Sequence, residues 1–258
     1  MRGKPRGGTI RMNILVTGGG TVARIDDVRE IANRSSGLFS ALISEAFIEL
    51  GAHVRHLAAS RALCPFKRMA VLDLTQPTPR DELDRLARLH AQVHSVGDRL
   101  KTIVLESDSV REYSDRLRQA LAEEPTDIAV LGMAVSDYEP TPVAGKLESR
   151  GPELVIRCQP APKVIRSVRG WSPRTFLVGF KLLSNVDDAA LVAAARRLIE
   201  ESDADLVVAH DLKHVHTRDH KLFLVDRSGG VACLGPRDGL ALALARAIKS
   251  EFARARTG

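Results

Sequence analysis

Two polar segments near the amino terminus have residue types that could bind a nucleotide or another anion. Gly18 and Gly19 lie in the run TGGGT, which follows an apolar stretch. A simple tight turn explains these glycines as well as a nucleotide-binding turn does. The loop that starts there runs about twenty residues and ends in the segment NRSSG, where a helical pattern begins. Serine is a good helix N-cap, and the free N–H groups of a helix start attract anions. We therefore predict that a phosphate or a carboxylate binds at Asn33, Arg34, Ser35, Ser36 and Gly37.

Three further residues that could bind a ligand lie later in the chain. Asp137 lies in the segment GMAVSDY at the end of a buried strand, where it could accept a hydrogen bond from a ribose hydroxyl or simply cap the next turn. Lys146 lies in an irregular segment and could fold over an anionic ligand to neutralise its charge. Phe180 ends the run FLVGF, where an aromatic ring could border a nucleobase or serve as a core residue.

Four histidines lie close together late in the chain, which raises the question of a metal site. Their pattern is H-x3-H-x-H-x3-H, and it crosses a strand end and a loop instead of following one helical face. Imidazole ligands need fixed geometry and supporting partners. We therefore predict a solvated loop and no metal held by His210, His214, His216 and His220.

The elements that must position these residues alternate between strands and helices. Continuous apolar strands separated by helical patterns are typical of a parallel sheet covered on both faces. The sequence predicts a three-layer, Rossmann-like, doubly wound α/β fold with a mostly parallel sheet. The predicted strands are Ile14–Thr17, Val54–Ala58, Thr102–Leu105, Ile128–Gly132, Phe176–Phe180 and Leu206–Ala209. The predicted helices are Ser36–Leu50, Arg80–Val93, Ser107–Glu123 and Val186–Glu201.

The remaining segments complete a single predicted domain over residues 12–258. KLFLVD and GVACLG flank RSGG and predict a β-hairpin, and a last helix is expected over about Pro236 to Ala253. Residues 138–162 are rich in proline and glycine around one strand-like piece, Glu153–Cys158. A long irregular segment in a compact domain is usually functional, so we predict an extended arm or lid there.

Composition and charge indicate the kind of partner. The 258 residues are 44% hydrophobic and contain no apolar run long enough for a membrane span, which predicts a soluble protein. Four of the six net positive charges fall in residues 1–11, which we interpret as a disordered basic tail before Met12. The three cysteines are few and far apart, as expected in a reducing cytosol, so we predict a cytoplasmic protein.

Taken in order, several motifs closely resemble those of phosphopantothenate–cysteine ligase, also called phosphopantothenoylcysteine synthetase. The matching runs are ILVTGGGT, IDDVREIANRSSG, MAVSDYEPTPVAGKL, APKVI, FLVGFKLL and ADLVVAHDL. The resemblance spans Met12 to about Lys249 and is strongest to the stand-alone bacterial form. The flavin-dependent decarboxylase half of many bacterial relatives has no counterpart in this sequence.

The resemblance implies a two-step reaction in coenzyme A biosynthesis. The carboxylate of 4'-phosphopantothenate attacks the α-phosphate of CTP, with ATP as the possible alternative, and gives an acyl-cytidylate and pyrophosphate. The amine of cysteine then displaces CMP and forms the amide. Mg²⁺ on the triphosphate and a homodimer, with the arm reaching the partner, are also implied. A separate phosphopantothenoylcysteine decarboxylase is the further partner that the family suggests.

The resemblance also assigns roles to residues. Asn33 matches the asparagine that holds the acyl-nucleotide, and Lys146 matches a lysine at the triphosphate, so both are the predicted catalytic residues. Residues 33–37 would bind phosphopantothenate. The predicted nucleotide-binding residues are Gly18, Gly19, Leu131, Gly132, Met133, Asp137, Lys146, Ala161, Pro162, Lys163, Phe180 and Arg197.

The sequence departs from the family pattern in three respects. His210 replaces an asparagine, Ser40 replaces a glycine, and two expected helix lysines fall near Arg197 and Glu201. Arginine is not equivalent to lysine, and a glutamate near a triphosphate would repel it. These differences bear on nucleotide affinity and base preference.

Two other classes of protein fit less well. An NAD(P)-dependent Rossmann-fold reductase shares the strand–glycine–helix order, but neither Tyr113 nor Tyr138 is followed by lysine four residues later. The loop is also too long for the dinucleotide fingerprint. A nucleic-acid-binding module would need a basic stripe beyond the tail and more aromatic residues than 4%. We therefore predict neither nucleic acid nor membrane as a partner.

Overall fold

The computed structural model describes residues 11–75, 78–148, 151–215, 217, 219–235 and 238–257. The predicted tail lies almost entirely outside this part of the chain, as do His216 and Pro236. In the described residues, no helix is both long and apolar enough to cross a membrane.

Six parallel strands and an antiparallel hairpin form the central sheet, in the order β12-β11-β10-β9-β6-β1-β4-β5. The strands of the chain are β1 (Asn13–Gly18), β2 (Val22–Arg24), β3 (Glu30–Ala32), β4 (His53–Ala58), β5 (Leu100–Val104), β6 (Ile128–Leu131), β7 (Tyr138–Pro140), β8 (Cys158–Pro160), β9 (Phe176–Leu183), β10 (Leu206–Asp211), β11 (Leu222–Asp226) and β12 (Val231–Leu234). Strand order reverses between β1 and β6, so the ligand crevice of a doubly wound sheet is expected there.

Helices cover both faces of the sheet. They are α1 (Leu38–Glu49), α2 (Pro79–Val96), α3 (Val110–Glu123), α4 (Val164–Trp171), α5 (Asp188–Ser202) and α6 (Leu240–Thr257). One buried cluster joins one face to α3, α4 and α5, and a second joins the other face to α1 and α6. Successive β1 residues point alternately into the two clusters, which is why the strands are apolar throughout.

All six predicted strands, the four helices and the carboxyl-terminal hairpin are confirmed, with ends shifted by at most three residues. The last helix is confirmed too, but it begins at Leu240 and ends at Thr257. The predicted doubly wound, mostly parallel sheet is therefore the observed fold.

The predicted strand Glu153–Cys158 is wrong. Regular pairing begins only at Cys158, where β8 pairs with β7 and closes the base of the arm. Leu154 and Val155 are 50% and 68% exposed, because none of the described strands pairs with this segment. The arm itself leaves the sheet, as predicted.

Candidate active site

A cavity of about 1120 Å³ opens at the carboxyl ends of β6, β9 and β10 and continues along α1. It lies beside the point where the strand order reverses. The sequence-predicted residues that line it are Arg34, Ser35, Ser36, Gly37, Leu131, Gly132, Met133, Asp137, Pro162, Lys163 and Phe180. The predicted residues that do not line it are Gly18, Gly19, Asn33, Lys146, Ala161 and Arg197.

The glycine segment after β1 joins the two strands at the reversal point. Ala134 donates its N–H to the carbonyl of Gly19 at 2.9 Å, and Thr21 donates its own to Ala134 at 2.9 Å. Gly19 has φ +98, and a Cβ there would lie 2.7 Å from the Cβ of Ala59. The glycines therefore shape the floor of the site without lining the cavity.

Asn33 fastens the long loop to the chain that follows β6. Its side-chain N–H groups donate to the carbonyl of Ala134 at 3.1 Å and to the hydroxyl of Ser136 at 3.0 Å. The loop before Asn33 is not a plain loop, since β2 and β3 form a short antiparallel hairpin within it. In this conformation the amide holds the start of the NRSSG segment beside the cavity.

The start of α1 presents the anion-binding groups, although its cap differs from the prediction. Gly37, not a serine, is the N-cap, and it has φ +72 with no side-chain cap hydrogen bond. A Cβ on Gly37 would lie 3.2 Å from the backbone nitrogen of Gly19, so the close approach of two backbones requires glycine. The first-turn N–H groups of an α-helix have no intrahelical acceptors, so they remain available to an anion.

Ser40 fills the space between the glycines of two strands. A Cβ on Gly18 would lie 2.6 Å from the Cβ of Ser40, and a Cβ on Gly132 would lie 2.5 Å from its hydroxyl. Ser40 is buried and also lines the cavity. The departure at this position therefore tightens the packing at the crevice.

Three cations and two carboxylates meet on the α4–α5 side of the cavity. Lys163 forms an ion pair with Asp137. Arg166 donates to Glu201 at 2.7 Å, and this hydrogen bond is the main reason that the pKa of Glu201 lies below its ordinary value. Lys181 is close enough to lower that pKa further. Among the described residues, the Lys181 side chain has no hydrogen-bond or ion-pair partner.

Neighbouring cations weaken the repulsion that we expected between Glu201 and a triphosphate. Its charge is matched by Arg166, and Lys181 and Lys163 lie nearby. Arg166 was not found from the sequence, yet it lies three residues after Lys163, which is one turn of α4. The predicted cation Arg197 lies on α5, is exposed and does not line the cavity.

Lys146 is held on the arm, away from the cavity lining. Its neighbours are fixed by the hairpin of β2 and β3, because Asp27 accepts the N–H of Gly145 at 3.0 Å and Asp26 accepts that of Leu147 at 3.1 Å. The Asp26 side chain is fully buried. Lys146 itself is exposed.

Aromatic rings form the α1–α6 side of the cavity. Phe39 and Phe180 meet edge to face, with centroids 6.4 Å apart. His210 and His220 stack beside them. His220 is buried and His210 is half-buried, so the predicted solvated loop is wrong for these two residues. In the described part of the chain, no three histidine, cysteine or acidic side chains lie together as metal ligands would. His216 lies outside the described residues.

Comparison with known proteins identifies the family. Residues 10–79 and 90–251 match the family described as the DNA/pantothenate metabolism flavoprotein C-terminal domain. The gap between the two matches falls within α2.

Three similar proteins extend this result. The coenzyme A biosynthesis bifunctional protein CoaBC of Thermococcus kodakarensis is 30% identical over 83% of this chain, and the chain spans only 45% of that protein. Human phosphopantothenate–cysteine ligase is 28% identical over 84% of this chain and 76% of the human protein. The crystal structure of the DNA/pantothenate metabolism flavoprotein from Streptococcus pneumoniae is 25% identical, with a TM-score of 0.73, over 93% of this chain and 99% of that chain. The chain belongs to the family of DNA/pantothenate metabolism flavoprotein C-terminal domains.

Proposed function

We propose that this chain is a phosphopantothenate–cysteine ligase of coenzyme A biosynthesis that activates 4'-phosphopantothenate with CTP. The observation that carries the proposal is one cavity with two anion-binding regions, the start of α1 and the cation cluster of Lys163, Arg166 and Lys181. A substrate that carries a phosphate and a carboxylate, together with a nucleoside triphosphate, needs both. Family membership and the named human relative support this function over a reductase.

The first step requires positioning and charge neutralisation instead of a nucleophilic side chain. A carboxylate oxygen of the substrate forms a bond to the α-phosphorus, and the bond to pyrophosphate breaks. Residues 33–37 and the first-turn N–H groups of α1 hold phosphopantothenate. Asn33 reaches the reacting carboxylate only if its amide leaves Ala134 and Ser136. Lys163, Arg166 and Lys181 neutralise the triphosphate. Fixed donors aimed at developing charge are the largest source of rate enhancement in such reactions.

In the second step the amine nitrogen of cysteine bonds to the activated carbonyl carbon, CMP leaves, and the amine loses a proton. Leu131, Gly132 and Met133 line the nucleotide, and Phe180 borders the base beside the segment Ala161–Lys163. Lys146 reaches the triphosphate only if the arm moves from the hairpin, or if it belongs to the site of a second copy.

The co-substrate is CTP, with ATP as the alternative, and it binds with Mg²⁺. Mg²⁺ is usually held by phosphate oxygens, waters and one or two carboxylates. Asp137 and Glu201 are carboxylates beside the cation cluster, and each is paired with a cation. Because both carboxylates are already paired, we expect Mg²⁺ to enter with the triphosphate and to have few protein ligands.

The functional unit that we propose is a homodimer of one domain, residues 12–258. Apolar side chains are exposed on the hairpin of β2 and β3 and on the arm, where a second copy would cover them. These residues are Val28, Ile31, Tyr138, Val143, Leu154 and Val155. A separate phosphopantothenoylcysteine decarboxylase would act on the product.

Pyrophosphate release tests the function. Purified protein is given Mg²⁺, 4'-phosphopantothenate and either CTP or ATP, with and without cysteine. We expect sustained release with CTP that requires cysteine, and a KM for CTP at least about tenfold higher in Lys181→Met, because one cation is lost. Lys101→Met, in which the replaced lysine is exposed on β5, is the matched control. No release with either nucleotide from folded protein would contradict the proposal.

A further inference from the structure

Two histidines from different parts of the chain form a hydrogen-bonded pair in the wall of the cavity. Nδ1 of His210 and Nε2 of His220 are 3.1 Å apart, and the rings stack with centroids separated by 5.4 Å at an angle of 25°. His210 lies on β10, and His220 lies two residues before β11. Both residues line the cavity.

The pair belongs to an aromatic wall of four rings. Phe180 meets His210 edge to face, with centroids 6.3 Å apart, and Phe39 lies 5.9 Å from His220. Val208 of β10 is opposite Phe180 of β9, so His210 is the next residue on the same face of the sheet. The wall is therefore set by strand register and by the start of α1.

The surroundings keep His210 uncharged. Burial is the main reason that the pKa of His210 falls to about 4; His220 contributes to the lowering, and Asp211 opposes it. The Asp211 carboxylate is already used, since it accepts the backbone N–H groups of Asn185, Val186 and Lys213. A neutral imidazole offers one donor and one acceptor. With Nδ1 of His210 bonded to His220, Nε2 is the atom that remains for a ligand.

We propose that the His210–His220 pair forms part of the nucleobase subsite and that Nε2 of His210 bonds to the edge of the base. This inference rests on the proposed function, which puts a nucleoside triphosphate in the cavity. A wall of stacked and edge-on rings beside Phe180 suits a planar heterocycle. The bond from His220 fixes the orientation of the His210 ring, so the pair is a specificity device and not a proton acceptor for the reaction.

Nucleotide preference is the first test. The ratio of kcat/KM for CTP to that for ATP is measured for the wild type, His210→Phe and His210→Asn. We expect His210→Phe to change the ratio by about tenfold or more, since it keeps a ring and removes the hydrogen bond to the base. His210→Asn restores most of the preference, because an amide also donates and accepts. We expect the KM for cysteine to stay within about twofold, because the cysteine amine reacts at the activated carbonyl carbon and does not contact the base.

The control is His214→Asn, a nearby histidine that does not line the cavity, and it leaves the ratio unchanged. His220→Phe shifts the ratio in the same direction as His210→Phe, since it releases the His210 ring. An unchanged ratio in folded, active His210→Phe would overturn the inference. Zinc bound to the pair in stoichiometric amount would overturn it as well.

A binding measurement separates this inference from the ligase proposal. Protein labelled with ¹⁵N-histidine is titrated with CDP in the absence of phosphopantothenate and cysteine. A shift of the His210 ring nitrogens supports base contact even if no ligase turnover is found. Full ligase activity with no shift at His210 would overturn the base contact and leave the ligase proposal intact.

Discussion

The side-chain amide of Asn33 donates a hydrogen bond to the hydroxyl of Ser136 at 3.0 Å, across the point where the sheet reverses its strand order. Asn33 ends the loop that begins at β1, and Ser136 follows β6. The bond therefore ties together the two chain segments between which we propose that the reacting groups meet. It explains why a loop much longer than a dinucleotide-binding turn can still be fixed at its end.

Replacement of Asn33 tests its role in activation. We predict that Asn33→Ala lowers the single-turnover rate of acyl-cytidylate formation by about 10²-fold or more, because a donor at the developing charge is lost. The KM for CTP changes by less than about threefold, because the cations of the triphosphate remain. Rapid-quench analysis with labelled CTP measures both. The control Ser136→Ala keeps the Asn33 amide, and its single-turnover rate falls by less than about tenfold. Equal falls in rate in the two variants would show that Asn33 only positions the loop.

We predict that Glu201 limits the affinity of the proposed site for a nucleoside triphosphate. We predict that Glu201→Gln lowers the Kd for CTP by about threefold to tenfold, because Arg166 then loses its ion pair and turns to phosphate. This gain in affinity for CTP becomes smaller at high salt. Isothermal titration calorimetry measures it, with Glu200→Gln, an exposed neighbour on α5, as control. Weaker binding by Glu201→Gln would mean that the ion pair is needed to place Arg166.

Ser40 makes glycine necessary at position 18. Gly18→Ala should cost about 1–3 kcal/mol of unfolding free energy, since its Cβ would lie 2.6 Å from that of Ser40. In the double variant with Ser40→Gly, the nearest remaining atom is Cε1 of His56 at 3.5 Å, an ordinary contact. We therefore predict that Ser40→Gly rescues Gly18→Ala in urea unfolding. Gly170→Ala is the control; a Cβ at this position would have open space around it, so we expect no loss of stability. Additive losses in the double variant would contradict this account.

Buried neutral histidines make stability depend on pH. Burial lowers the pKa of His56 to about 4 from an ordinary value of 6.5, as it does for His210. The unfolded chain therefore binds more protons than the folded chain between these values. Stability is complete above about pH 6.5 and falls as the pH drops toward about 4, by up to about 3 kcal/mol for each histidine.

Urea unfolding between about pH 7 and about pH 4.5 checks this dependence. We predict that His56→Phe reduces the loss of stability toward acid pH, because Phe removes the titrating group. Nε2 of His56 is buried and has no hydrogen-bond partner among the described residues. Replacement of the exposed His90 by Gln is the control, and it leaves the change of unfolding free energy with pH as in the wild type. A slope in His56→Phe equal to that of the wild type would contradict the assignment.

The sheet could be predicted from the sequence because its strands are apolar on both faces and its helices are amphipathic. The hairpin of β2 and β3 could not, since its residues are mostly exposed and its order comes from contacts with the arm. The cap at Gly37 was missed because it depends on the approach of Gly19, which is distant in sequence. The ion pair between Arg166 and Glu201 likewise exists only once α4 packs on α5. Periodicity therefore predicts the scaffold, and long-range packing determines the chemistry of the site.

The most direct test of the central claim is identification of the product by mass spectrometry. Purified protein is incubated with Mg²⁺, CTP, 4'-phosphopantothenate and cysteine, and all species are quantified. The account predicts equal amounts of 4'-phosphopantothenoyl-cysteine, CMP and pyrophosphate, and an acyl-cytidylate when cysteine is omitted. Folded protein that binds CTP and forms neither the amide nor the acyl-cytidylate would contradict it.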